Sequence, residues 1–382
     1  MNYRKFSKIW LMCTIVSFTF FCALAYIIDP VEFFGTKKLN GINHYKVKEI
    51  NYLYTCKPYQ VLRMSPEVVF IGTSRIYVGW KPSLAGNNDM SVYNLGCDSL
   101  SLKNTEYLLD MVYNNSKPKY VFLGLDFFQF DGNHYYKTRE GFSREKAEVL
   151  SSKNSVKYNF ALLKDVIGTN STIIDTFKSS YKNENEKVLF IQGWARYRGE
   201  FKGTSKKGFY GDLNEYKKLY KNWSYDKEAI KCVERIVNKA KMNNIKLYVF
   251  FNPLSQDLRS MIYSLNLNNN MDKIKKEITK INGVVYDFNF SNEITNNRSN
   301  YVDASHYNAN VGELMKKTIL ANESNDMCLI LTTSNVDKLL EKEEKLYFNW
   351  EKKNREYVDE LRINMNSDEE IMEEEFNQYF SI

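Results

Sequence analysis

Val68-Val69-Phe70-Ile71-Gly72-Thr73-Ser74-Arg75 is the stretch that decides the fold. Four apolar residues in a row, three of them β-branched, make a short strand with no polar face, which belongs inside a sheet covered on both sides. Gly72 permits a tight turn at its end, and Ser74 stands just beyond it. Runs of the same kind recur at 92–95, 120–125, 246–251 and 284–288. Between them lie helix candidates at 100–113 and 226–243, the second with Ile230, Val233, Ile236, Val237 and Ala240 on one face. Alternating strands and helices imply an α/β domain built on a mostly parallel sheet, whose ligands collect at the carboxyl ends of the strands.

Towards the N-terminus, residues 9–28 carry no charge, which is the length a helix needs to cross a bilayer. Arg4, Lys5 and Lys8 precede the run and Asp29-Pro30 follows it. By the positive-inside rule residues 1–8 stay in the cytoplasm and 29–334 form an extracytoplasmic domain, giving a single-pass protein of the plasma membrane. The competing reading is a cleaved signal peptide, with Ala23-Leu24-Ala25 as the cleavage site. The apolar run continues through Tyr26, Ile27 and Ile28, longer than a signal core, and the anchor is the reading taken.

Segment 131–224 breaks the strand–helix rhythm and reads as an insertion on the face that carries the site. Its tyrosines, Trp194, Arg196 and Arg198 suit sugar stacking and anion contacts, and suit a solvated elaboration equally. From 335 to 382 the chain becomes a charged helix and an acidic tail. A hydrophobic content of 43%, with 15% aromatic residues, excludes disorder of the whole chain. The net charge of +7 includes the three residues ahead of the apolar run and leaves no basic stripe, which argues against nucleic acid. Six cysteines without CxxC spacing exclude a zinc ribbon and a dense disulfide framework, and leave one disulfide open.

Three motifs at strand ends carry chemistry. Ser74 follows the first strand, where backbone amides can face an oxyanion. Gly96 follows the second, in Asn94-Leu95-Gly96, and its amide is a further candidate donor. Asp303 and His306 stand three residues apart in Tyr301-Val302-Asp303-Ala304-Ser305-His306, ahead of a helix whose start is signalled by Asn310 and Glu313. In that loop Asp303 can orient His306, and His306 can take the Ser74 proton. Of the three histidines only His306 sits in such a motif.

With Gly72-Thr73-Ser74, Gly96 and Asp303-x-x-His306 in this order, the chain resembles the SGNH/GDSL hydrolase superfamily. Asp29-Pro30, Gly124 to Phe128, Asn252-Pro253 and Asp303 to Tyr307 make it similar to the membrane-anchored SGNH-like proteins of bacterial polysaccharide O-acetylation, relatives of the alginate acetylation proteins. The likeness spans about residues 29–340 without the insertion. It implies a three-layer α/β/α, flavodoxin-like domain and a Ser74–His306–Asp303 site with an oxyanion hole from the Ser74 and Gly96 amides. The implied reaction is acyl transfer on a cell-envelope polysaccharide, by an O-acetyltransferase served by a membrane-bound acyltransferase or by an esterase. No metal or cofactor is implied. Two positions depart from the pattern: Thr73 replaces the Asp of Gly-Asp-Ser, and Asp126 stands where the superfamily has an asparagine donor. Asp126 is then either structural, beneath the site, or held protonated by burial. Arg75 is either a binder of an anionic acceptor or a surface ion pair, and Arg75 and Asp126 are the two substrate-binding candidates. A non-catalytic glycan-binding or scaffold protein on the same fold is the second functional expectation.

Overall fold

The computed structural model describes residues 3–44, 46, 49–84, 89–135, 142–182, 188–197 and 206–371. Helix α1 (Tyr3–Ile28) is the apolar N-terminal segment, long and apolar enough to cross a membrane and almost wholly exposed along its first five turns. Its last turn belongs to the folded domain. Ala25 and Ile28 are buried, Asn43 Nδ2 donates to the Ile27 carbonyl (2.7 Å), and Lys46 Nζ donates to the carbonyls of Ile28 and Asp29 (2.8 and 2.7 Å). These side chains satisfy carbonyls that a helix end leaves without intrahelical partners.

The sheet is laid down by α2 (Leu53–Met64), β1 (Val68–Ile71), α3 (Ser74–Gly79), β2 (Val92–Asn94), α4 (Leu102–Asn115) and β3 (Tyr120–Leu125). The insertion follows as α5 (Gly132–Tyr135), α6 (Arg144–Ser151), α7 (Val156–Gly168), α8 (Ser171–Lys182), the antiparallel hairpin β4 (Val188–Ile191) and β5 (Trp194–Tyr197), and α9 (Lys206–Lys221). The sheet resumes through α10 (Lys227–Met242), β6 (Lys246–Phe251), α11 (Gln256–Ser264), α12 (Asn268–Asn282), β7 (Val284–Asp287), α13 (Ala309–Ala321) and β8 (Leu329–Thr332). Helices α14 (Val336–Lys353) and α15 (Arg355–Asn366) follow.

The strand order is β2-β1-β3-β6-β7-β8, parallel except for β8, which runs antiparallel to β7. All five strands expected from the sequence are present. β8 is the sixth: an edge strand with alternating burial, Leu329 and Leu331 inward and Thr332 outward, too short and too mixed to stand out. Alternate residues of the central strands enter two cores. Val69, Ile71, Val121 and Leu123 join the larger core under α4 and α10, whereas Phe70, Phe122 and Phe250 join the smaller one with Trp80, Tyr307 and Met315. Trp80 stacks on Phe250 at 4.7 Å. Both faces of the sheet are covered, as strands without a polar side require.

Some local readings change. Helix α13 starts after Asn308, whose Oδ1 accepts from the amides of Asn310 and Val311, while Glu313 pairs with Lys316 instead of closing a capping box. Among the described residues no disulfide joins any of the six cysteines. In the charged segment after 335, two helices pack on the domain: α14 and α15 bury Tyr347, Tyr357, Val358 and Leu361.

Helix α14 also enters a buried charge cluster. Glu343 accepts from Arg259 Nη2 (2.9 Å) and Lys275 Nζ (2.6 Å), and Lys275 lies 2.8 Å from Asp287 at the end of β7, all with almost no exposure. Removing one member of such a set strands the opposite charge in a low-dielectric interior. Glu343→Ala is therefore expected to destabilise the chain by about 3–5 kcal/mol, read from the urea midpoint of the detergent-solubilised protein. Glu228→Ala, which breaks an exposed pair with Lys231, is expected to leave the midpoint nearly unchanged. Equal effects of the two substitutions would show that the cluster does not hold α14 in place.

Candidate active site

The sheet register builds the site. Ile71 pairs with Leu123, and Leu125 with Phe251. Just past the strands, Thr73, Asp126 and Asn252 meet at the carboxyl edge, and Ser74 is the residue after Thr73. Gly72 (φ +156°) makes the turn possible, because a Cβ there would lie 2.6 Å from Ile76 and 2.7 Å from the Gly124 carbonyl. Thr73 caps α3 and Ser74 is its first residue. Of residues 71–80, only Ser74 is not buried.

The loop ahead of α13 brings the other two members. Tyr301 and Tyr307 bridge, and the Val302 amide donates to the His306 carbonyl (2.7 Å), so the segment between them folds back on itself. Inside this fold Asp303 Oδ1 accepts from the amides of Ser305 (2.8 Å) and His306 (2.7 Å), while Oδ2 faces His306 Nδ1 at 2.7 Å. His306 Nε2 then lies 2.7 Å from Ser74 Oγ. Ser74, His306 and Asp303 are thus joined in one chain of hydrogen bonds, with Asp303 and His306 each 22% exposed, open enough for a substrate to reach. Burial pushes the Asp303 carboxyl up, but His306 and the two amides more than offset this and hold it below the usual carboxylate value.

Beneath this line lies a buried polar layer. Arg75 and Asp126 are 1% and 2% exposed and form an ion pair of 2.7 Å. Asp126 also accepts from Thr73 Oγ1 (2.6 Å) and Asn252 Nδ2 (3.2 Å). Arg75 donates further to the Ser305 carbonyl (2.8 Å), Ser305 Oγ (3.0 Å) and Tyr216 OH (2.9 Å). Asn252 accepts from Tyr307 OH (2.8 Å), which in turn accepts from Trp80 Nε1 (2.9 Å). The two substrate-binding candidates are corrected accordingly: Arg75 is neither a surface ion pair nor a free anion binder, and Asp126 is its buried partner. Asp126 lies beneath the site, where Arg75, Thr73 and Asn252 hold it.

The oxyanion candidates divide. The Ser74 amide has no hydrogen-bond partner among the described residues. The Gly96 amide, however, donates to Asn94 Oδ1 (3.0 Å), and Asn94 is fixed by donating to the carbonyls of Ile76 (2.8 Å) and Trp80 (2.7 Å). Gly96 is thus corrected from oxyanion donor to turn residue, its amide consumed by an Asx turn. Lys57, fully buried, holds the same loop by donating to the carbonyls of Asn94 (3.2 Å), Gly96 and, in the insertion, Gly193 (2.7 Å).

The insertion reaches the site at two points. Trp194 Nε1 donates to the Val78 carbonyl at the end of α3 (2.9 Å), which fixes the hairpin there. Nothing is described of the Arg196 side chain, and Arg198 lies outside the described residues. From α9, Tyr216 OH meets Ser305 Oγ at 2.9 Å, and Asp212, one turn earlier, faces Asp303, His306 and the Ala304 amide. Neither residue was marked by any motif; only their i, i+4 spacing on a helix relates them. Among the described residues no cluster of His, Cys, Asp and Glu is arranged to hold a metal.

Burial and the Asp303 charge push the Asp212 carboxyl up to about 6, against the pull of His306. An unfolded aspartate loses its proton near pH ~3.9. Between these values the folded chain keeps a proton that the unfolded chain has lost, so stability falls as pH rises through that window. Asp212→Asn is therefore expected to raise the thermal midpoint above that of wild type at about pH 7.5 and to leave it unchanged at about pH 3. A shift of equal size at both pH values would mean that Asp212 is not the strained carboxylate.

No protein-family model matches the chain, and no curated protein matches it either.

Proposed function

We propose that this chain is a serine-dependent acyl-transfer enzyme of the SGNH type acting on a cell-envelope polysaccharide, held by α1 with its α/β domain outside the membrane. The observation that carries the reading is the run of two 2.7 Å contacts, Ser74 Oγ to His306 Nε2 and His306 Nδ1 to Asp303 Oδ2. A nucleophile, a base and an orienting carboxylate in this order are what covalent acyl transfer needs.

Each residue then has a definite task. Ser74 Oγ attacks the carbonyl carbon of an oxygen ester as its proton passes to His306 Nε2. The charge that grows on the carbonyl oxygen meets the free Ser74 amide. Collapse expels the alcohol, which takes the proton from His306 and leaves the acyl group on Ser74. His306 next removes a proton from the acceptor hydroxyl, which attacks the acyl-serine, and the proton returns to Ser74 Oγ. Water as acceptor gives an esterase; a sugar hydroxyl gives an O-acetyltransferase. Asp303, kept ionised, fixes the tautomer in which Nδ1 carries hydrogen and stabilises the imidazolium form.

The consumed Gly96 amide favours a second reading, because it leaves the oxyanion with one amide where acyl-transfer sites have two or more donors. On that reading the domain is a non-catalytic glycan-binding or scaffold protein. Incubation of the full chain in detergent with an activated acetyl ester, followed by peptide mass spectrometry, separates the two. The expected result is an acetyl adduct on Ser74 that Ser74→Ala and His306→Ala abolish and that Asp303→Asn slows by about 10⁴-fold. Absence of the adduct, or equal labelling of wild type and Ser74→Ala, would leave the binding reading standing.

A further inference from the structure

Helices α7 and α8 of the insertion carry large apolar side chains that lie exposed among the described residues. On α7, Val156, Phe160 and Ile167 are exposed, with half-buried Leu163 between them on the same face. On α8, Ile174, Phe177 and Tyr181 are exposed at i, i+3 and i+7, and the rings of Phe177 and Tyr181 stack at 6.3 Å. The exposure is large, 68% for Phe160 and 75% for Tyr181. The opposite face of α8, with Thr172, Ile173, Thr176 and Ser180, is buried. Water would not select two neighbouring helices with such outer stripes, and contiguous patches of this kind mark contact with another apolar phase or surface.

Two observations say which phase. Helix α8 packs against α1, the segment long and apolar enough to cross a bilayer. The buried and half-buried positions of α1 lie at its C-terminal end, at Phe21, Cys22, Ala25 and Ile28. Helix α8, with its apolar stripe, therefore lies beside the apolar segment, whose buried positions are at the end that enters the domain. Exposed Lys157, Lys164 and Lys178 also flank the stripes, the arrangement of a helix that lies at the boundary between acyl chains and anionic headgroups. We infer that α7 and α8 form a second, monotopic membrane contact, seated in the outer leaflet beside α1 with Val156, Phe160, Ile167, Ile174, Phe177 and Tyr181 in the hydrocarbon boundary. The inference rests on the reading that α1 spans the membrane.

Its consequence reaches the site. The hairpin that follows α8 supplies Gly193 to Lys57 and Trp194 to the end of α3. A leaflet-seated α8 would hold that hairpin, and with it the Ser74 turn, at a set distance from the membrane, suited to an acyl donor that emerges from the bilayer.

The test uses the full chain with Cys13 and Cys22 replaced by alanine, reconstituted in phosphatidylcholine–phosphatidylglycerol vesicles. Nitroxide labels are placed singly at Ile167→Cys, Phe177→Cys, Val16→Cys in the middle of α1, and Met242→Cys, exposed at the end of α10. Collision with oxygen, which concentrates in hydrocarbon, is compared with collision with a water-soluble nickel chelate. The labels at 167 and 177 are expected to follow that at 16, with oxygen dominant, and to reverse the order found at 242. If 167 and 177 follow 242 while 16 lies in hydrocarbon, the inference is overturned and the span stands. If they are shielded from both reagents, protein covers the stripes, and the inference is likewise overturned. A water-exposed label at 16 would remove the span and the inference together.

Discussion

The site depends on one buried ion pair, Arg75 with Asp126. Two charges taken out of water cost several kcal/mol each unless geometry and additional hydrogen bonds offset the loss, and here every element of the site supplies part of that compensation. Asp126 sits at the end of β3, Arg75 in the first turn of α3, Thr73 at the cap of α3 and Asn252 past the end of β6. The remaining Arg75 donors take the Ser305 carbonyl and hydroxyl, inside the loop that carries Asp303 and His306. The guanidinium thus joins segments more than two hundred residues apart, and the Ser74–His306 distance follows from where that fork must point. Arg suits this place because its planar fork reaches several acceptors at fixed angles, which a lysine does not.

This explains why the sequence is informative about some residues and silent about others. β1, β3 and β6 are legible because strands buried on both faces leave continuous apolar runs, and the Asp303–His306 pair is legible because its partners are local. The pairing of Arg75 with Asp126 is not legible, since burial of a charge is decided by what packs around it: the sequence allows a buried Asp126 but leaves Arg75 on the surface or at an anionic acceptor. The fate of the Gly96 amide was open to a local reading, because an asparagine two residues earlier is the usual side chain of an Asx turn. Asp212 and Tyr216 come from an insertion without strand–helix rhythm, so nothing in the chain ties them to the loop they cover. β8 escapes notice because an edge strand with one wet face resembles any short mixed segment.

The insertion does more than decorate the sheet. Lys57 binds a carbonyl from the β4–β5 hairpin and two from the loop after β2, and α9 places Tyr216 and Asp212 against the loop of His306. Both walls of the site are therefore shared between the parallel-sheet domain and the inserted segment. A buried ammonium held by three carbonyls, with the rings of Tyr77 and Phe190 beside it, is costly to move, which couples the hairpin to the turn behind Ser74.

On the proposed topology, the anchor constrains the chemistry more tightly than the triad does. A Ser-His-Asp site can take an acyl group from any ester it can reach, but one held outside the membrane has no access to thioester donors of the cytoplasm. Hydrolysis of an acylated glycan needs nothing further, since donor and water both lie on the outer side. Transfer to a glycan needs an acyl group that has crossed the bilayer, hence a membrane-bound partner that delivers it. A partner of this kind would present its acyl group at the bilayer surface, and a site tied to the leaflet through α1 spends less entropy finding it than one on a free tether. The joint between α1 and the domain, with Asn43 and Lys46 fastening the last helical carbonyls, is therefore a feature that favours transfer and that hydrolysis does not need.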